Sequence, residues 1–322
     1  MDTAGGALSF EIATLDDAAF WSDVYTAAHP HRPQDPLVRR YSWEHPPRLW
    51  RSARYILWRG GKRIGAASWQ HPEWEHAEQR FADIGGELLP EMRDAATLSE
   101  LNTRMEQEAI AEGAAIVQAR VNEDDPLRIE VVRSLGYRED RRGRRWELDL
   151  IEGRERILAM TDASRQKMRD QGITMLTLAD DLDPDVVRRV WKLSVEAEKD
   201  EPKSLGEVDE ALEDYVEWFG APEMRRDRVW LACEGADVVG ISCLGYPPVR
   251  GVVGTEWTAT ARSVRGRGIA RALKCETLAQ AIALGVDRVR TGNDAANDPI
   301  LHINESIGYR PIPGAINFLK EL

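Results

Sequence analysis

Apolar and polar positions along the chain change period repeatedly, and the changes mark out one series of elements twice. FEIATL (10–15) alternates as a strand does, and DDAAFWSDVYTAAH (16–29) has helical spacing. Two apolar runs around Gly60-Gly61, in ARYILWRGGKRIGAASWQ, predict a hairpin. The same order returns later: a strand in ITMLTLADDL, a helix in PDVVRRVWKLSVEAEKD, and a hairpin in RVWLACEGADVVGISCLGY. Each series then continues with a strand, a long helix and another strand.

Each series closes on a near-identical unit. NEDDPLRIEVVRSLGYRED (Asn122 to Asp140) is matched by NDAANDPILHINESIGYRPI (Asn293 to Ile312), and Gly136 and Gly308 lie 172 residues apart. Asp-Pro opens a helix well because proline tolerates the first turn, and glycine closes one. A half-chain spacing predicts a duplicated domain and excludes solenoids of short period. The chain therefore divides into residues 1–150, a charged linker helix over 151–171 with apolar Ile157 and Met160, and residues 172–322. The fold class is α/β with mixed sheets.

Composition narrows the function. Of 322 residues 43% are hydrophobic and 30% charged, enough for two cores. The net charge of −12 argues against nucleic acid or an anionic membrane surface as partner. No apolar run approaches the ~20 residues of a bilayer span, and the first residues show no leader pattern, so a cytoplasmic protein is expected. Cys233, Cys243 and Cys275 form no CxxC, which predicts neither a disulfide framework nor a metal cluster. Five of six histidines lie between His29 and His76 and are read as surface or loop residues.

The chemistry concentrates in the second half. A strand, GTEWTATA, runs into Ser263-Val264-Arg265-Gly266-Arg267-Gly268-Ile269-Ala270 and then a helix. Glycines at such a turn let backbone amides converge at a helix N-terminus, where the dipole and two arginines favour phosphate. The third glycine of a dinucleotide fingerprint and the Gly-Lys-Ser/Thr of a Walker loop are absent. Glu256 lies in the strand before the turn, and a period of two places it on one face with Thr258 and Thr260. An inward carboxylate there needs a reason, and a general base supplies one. In the first half, aligning Arg93 with Arg265 puts Asp94 at Gly266 and Ala96 at Gly268, so that copy is expected not to hold a phosphate.

These residues resemble the GCN5-related N-acetyltransferases in tandem form. The family's Q/R-x-x-G-x-G/A is matched by Ser263 to Gly268, with Ser263 in the Gln/Arg slot, and Asn293…Asn297-Asp-Pro…Asn304…Gly308-Tyr309 is similar to its downstream run. The resemblance implies two GNAT-like domains, each a mixed, mostly antiparallel twisted sheet flanked by helices, the first of them degenerate. It implies acetyl-CoA as co-substrate, without a metal. The co-substrate would lie in a V between the strand Glu256–Ala261 and the strand ending near Asn293. Thr258, Ala259, Thr260 and Ala261 would bind its pantetheine and thioester. Arg265, Gly266, Arg267, Gly268, Ile269 and Ala270 would bind its pyrophosphate, with Asn293, Asn297 and Asn304 nearby.

The family's usual tyrosine acid falls at Asn304, which cannot serve, and Tyr309, Tyr246, water or the acceptor's own ammonium proton are left as sources of the proton. Ten carboxylates between Glu196 and Glu217 predict a small cationic amine as acceptor, attacked directly in a ternary complex by a monomer or homodimer. A solvated acidic helix face is the alternative for those residues. A mycothiol-synthase-like reaction and a non-catalytic acyl-CoA binder are the other functional readings.

Overall fold

The computed structural model describes residues 7–322; residues 1–6, the start of the stretch read for a leader, lie outside it. The first series comprises β1 (Ser9–Ile12), α1 (Ala18–Ala28), α2 (Pro36–Glu44), β2 (Trp50–Arg59), β3 (Lys62–Pro72) and β4 (Phe81–Leu88). It continues with α3 (Ala95–Ala111), β5 (Ile116–Asn122), α4 (Pro126–Ser134) and β6 (Arg138–Asp149). Helix α5 (Arg154–Asp170) connects to β7 (Ile173–Thr177), α6 (Val186–Glu198), α7 (Leu212–Trp218), β8 (Val229–Glu234) and β9 (Asp237–Gly245). The second series ends with β10 (Gly254–Thr260), α8 (Ile269–Ala283), β11 (Arg288–Asp294), α9 (Asp298–Ile307) and β12 (Arg310–Glu321). None of these helices is long and apolar enough to cross a membrane.

Local chemistry accounts for the boundaries. Gly60 and Gly61 take φ of 57° and 75°, the left-handed pair that a two-residue hairpin between β2 and β3 requires. Helices α4 and α9 both begin with proline in the first turn, and Gly136 and Gly308 end them at φ 89° and 100°. The aromatics after those glycines, Tyr137 and Tyr309, are buried in the cores.

The twelve strands form one sheet in the order β1-β2-β3-β4-β5-β12-β6-β11-β10-β9-β8-β7. Only β4–β5 and β10–β11 are parallel; every other neighbouring pair is antiparallel. The last strands are exchanged. β12, from the second series, pairs with β5 of the first, and β6 pairs with β11 of the second. Neither half therefore completes its sheet with its own final strand. Helix α6 packs on the face bearing Ile241 and Cys243, while α8 covers the opposite face at Ala232 and Val239. Polar clamps also cross between the halves: Asp35 accepts the backbone N–H of Val249 and Arg250 at 2.6 and 3.0 Å, and Arg48 pairs with Glu217 at 2.6 Å.

Candidate active site

Strands β10 and β11 meet at a single pair, Gly254 with Arg290, and then diverge. Along its other edge β10 pairs with β9 through Thr260. The diverging edge of β10 thus turns unpaired backbone groups into an open V, where buried amides need a partner. At the end of the V, α8 begins on Gly268 at φ 91°, preceded by Gly266 at φ 78°, backbone states that favour glycine at both positions. No side chain caps this helix, so its first N–H groups remain free for an anion.

A cleft of about 720 Å³ joins these features, and Thr258, Ala259, Thr260, Arg265, Gly266, Gly268, Ile269, Ala270, Asn293 and Asn297 all line it. The expected pyrophosphate arginines are already engaged. Arg265 pairs with Asp200 at 2.6 Å and Arg267 with Glu234 at 2.9 Å. The cation that stands over the turn is Lys167 of α5, with its Nζ 2.9 Å from where a Cβ on Gly268 would lie and no ion pair among the described residues. Nothing in the local sequence signals it, because it comes from the linker helix. Asn304 is fully buried, and its Nδ2 donates to Asn293 Oδ1 at 2.8 Å.

Glu256 corrects the period-two expectation. The β9–β10 register slips between Thr255 and Trp257, leaving Glu256 as the extra residue of a bulge. Its side chain lies over Gly245, within 2.6 Å of a notional Cβ there, and so on the face of Trp257 and Ala259 rather than that of Thr258 and Thr260. Gly245 makes the room. Water reaches the carboxylate through the cleft, yet protein surrounds it; that partial desolvation, with the charge of Glu223 added, pushes its pKa up to about 7. Glu256 and Trp257 line the root of the V together with Thr258, Thr291 and Asn293. They also line a second cavity with Trp50, Trp218, Tyr215, Glu198 and Glu210. Burial and the adjacent Glu210 push the Glu198 carboxyl up, and Tyr215 donates to it at 2.9 Å.

The two tyrosine candidates are not brought into these cavities. Tyr309 is 4% exposed and its hydroxyl is pushed up by burial, while burial raises Tyr246 to about 12 with Arg228 over its ring at 4.3 Å. All three cysteines are buried and reduced.

The corresponding place in the first half is filled. Helix α3 starts on Ala95, and Asp94 caps it by accepting the Thr97 N–H at 2.8 Å. Asp94 therefore occupies the cap position that Gly268 holds in α8, which corrects its alignment with Gly266; an internal carboxylate takes the anion's place. Position 84, which is 172 residues before Glu256, is isoleucine in an unbroken register with β3. The side of the V formed by β4 is closed by Arg128, whose Nη1 donates to Gly86 O at 2.6 Å. Beside it Glu87 meets His29 at 2.8 Å and Arg93 at 2.9 Å, and Arg93 also pairs with Asp125. His29 and His71 are thus buried, contrary to the surface reading; His71 stacks between Trp69 and Trp74.

Burial would raise the Glu87 pKa, but the His29 hydrogen bond and the charges of Arg128 and Arg93 outweigh it and hold it at about 2. We expect Glu87→Ala to destabilise the fold by about 3 kcal/mol, because the buried Arg128 loses its counter-charge and His29 its hydrogen bond, while Arg93 keeps Asp125. A depressed carboxylate stabilises above its unfolded pKa, so the wild-type contribution should vanish as pH falls from about 4.3 towards 2. Denaturant melts of both proteins at pH 7 and pH 3 check this, with the gap between them shrinking at the lower pH.

The fold is that of tandem GNAT proteins. A tandem GNAT protein from the clavulanic acid biosynthesis pathway superposes with a TM-score of 0.75 at 18% identity, covering 98% of both chains. GCN5-related N-acetyltransferases from Sphaerobacter thermophilus (TM-score 0.66, 17% identity, 98% of this chain and 95% of that one) and Kribbella flavida (0.55, 15%, 100% and 73%) share the architecture. Among curated proteins no relative matches. Residues 189–309 match the acetyltransferase (GNAT) family.

Proposed function

We propose that the protein transfers the acetyl group of acetyl-CoA to the primary amine of a small cationic acceptor, by direct attack within a ternary complex. The observation that carries this reading is the position of Glu256: with Trp257, it lines both the root of the V and the acidic aromatic cavity. The V holds the thioester and the cavity holds the amine. Amides of β10 on its diverging edge, at Thr258 and Thr260, bind pantetheine and the thioester oxygen, whereas the Ala261 N–H is taken by Val239 O at 3.0 Å and cannot; the free N–H groups at the start of α8, with Lys167, bind the pyrophosphate. Glu198, Glu210 and Asp214 offer negative charge, and Trp50 and Trp218 offer ring faces, a combination suited to an ammonium group. Pro47, Trp50 and Gln70 of the first half complete that wall, which gives the degenerate half a role in acceptor binding.

A bound ammonium must lose a proton before its nitrogen can attack, and Glu256 takes it. A carboxylate with a pKa near 7 accepts that proton and returns it to solvent within one cycle. The nitrogen then adds to the thioester carbon, the oxyanion rests on a β10 amide, the adduct gives its second N–H proton to Glu256, and the carbon–sulfur bond breaks to leave the amide and CoA thiolate. Thiol release with a panel of polyamines, amino sugars and neutral amines tests the proposal. Cationic amines should support turnover and neutral amines of equal size should not; CoA binding without turnover of any amine would leave only an acyl-CoA binder. Calorimetric titration should give one CoA site per chain, since Asp94 fills the other. Two equivalent sites would overturn the degenerate reading of the first half.

A further inference from the structure

Lys274 lies in the second turn of α8, beneath the V. It is 2% exposed, and its Nζ has no ion pair or hydrogen bond among the described residues. The ammonium stands over the Tyr309 ring at 5.4 Å and lines the V-root cavity with Thr258 and Thr291. On the same side the Thr255 and Tyr309 hydroxyls lie near each other, and neither reaches Lys274 within hydrogen-bond distance. Around Lys274 stand Cys275 on its own helix, Tyr309 before β12, Glu256 of β10, Asp294 of β11, Glu201 after α6 and Arg120 of β5. None of the three carboxylates comes within ion-pair range of it, and Arg141 takes Asp294 at 2.7 Å. Helix α5 meets α8 here through Thr161, which donates to Cys275 O, and the Arg165–Glu276 pair.

A buried cation without a counter-ion costs several kcal/mol, so a chain that keeps one in a cavity has an anion to meet there. The acetyl thioester is neutral. If the proposed reaction is right, one anion does form at this point, the CoA thiolate left when the carbon–sulfur bond breaks. We propose that Lys274 is the catalytic residue that receives this thiolate and gives it its proton. The electron pair of the broken bond stays on sulfur, and an Nζ–H proton moves to it, leaving CoA thiol and a neutral lysine amine. The amine regains a proton through the cavity from Glu256, which has taken one from the acceptor nitrogen. In total an ammonium and acetyl-CoA become an amide, CoA thiol and one released proton. Burial lowers the Lys274 pKa to about 8, which suits a donor that must give up its proton near neutrality. It also supplies the acid that Asn304, Tyr309 and Tyr246 do not.

The test needs no acceptor. CoA bound to the wild-type protein should titrate, by its ultraviolet thiolate absorbance, at least about one unit below CoA in water, a tenfold change in thiolate to thiol. Lys274→Met, of similar length and apolar, should restore the value of free CoA while leaving affinity for desulfo-CoA unchanged. Equal thiol titrations in the two proteins would overturn the assignment. Should the variant not fold, wild type alone decides: its preference for CoA over desulfo-CoA should grow as pH rises from 7 to 9. A flat ratio refutes the lysine's role, whereas failure of both ligands to bind refutes the acetyl-CoA reading on which it rests.

Discussion

Gly268→Asp should abolish acetyl-CoA binding while leaving the domain folded. The substitution gives α8 the device that the first half already uses, where Asp94 caps α3 and satisfies its first amides. An aspartate at φ 91° is strained by about 1–2 kcal/mol, a cost that the nearby Lys167 ammonium offsets only in part, so the domain stays folded with somewhat reduced stability. The cost falls on the ligand. A carboxylate sits where the diphosphate would, takes the amides that would hold it, and neutralises Lys167. Removing one charge-assisted hydrogen bond costs about 1–3 kcal/mol, and removing two weakens affinity by about thirtyfold to ten-thousandfold, before the repulsion between carboxylate and diphosphate is added. Calorimetry should find no CoA binding at millimolar concentration, with a cooperative melt at a temperature lowered by a few degrees at most. Wild-type affinity in the variant would show that the pyrophosphate lies elsewhere.

Glu256→Gln should lower kcat/KM by about 10²–10⁴-fold, the usual loss when a general base is removed. The amide is isosteric and carries no charge, so the packing over Gly245 keeps its shape. The pH dependence separates a base from a merely structural carboxylate. Wild-type kcat/KM should rise as pH increases through about 7, where Glu256 becomes the carboxylate that accepts a proton. In the variant that rise should be absent, and its rate should climb only at high pH as free amine appears. A variant with the wild-type profile would place the base on another residue.

Much of this was legible because it depends on neighbours in sequence. The Gly60-Gly61 hairpin, the Asp-Pro entries and Gly-Tyr exits of α4 and α9, and the glycine turn before α8 each rest on local backbone preference. A period that recurs after 172 residues carries the duplication in the same way. The face of Glu256 was not legible. Its bulge depends on β9 offering Gly245 across the sheet, and an ideal alternation has no place for one extra residue. Lys167 over the glycine turn, Lys274 under the V and the Trp50 wall of the second cavity all come together from segments far apart in the chain. So does the exchange of β6 and β12, since any strand of the right length and alternation could have taken either edge. Local spacing thus determined the elements, the repeat and the phosphate turn. Only the packing of distant segments decided which charges were left without partners, because a counter-ion is found in space and not along the chain.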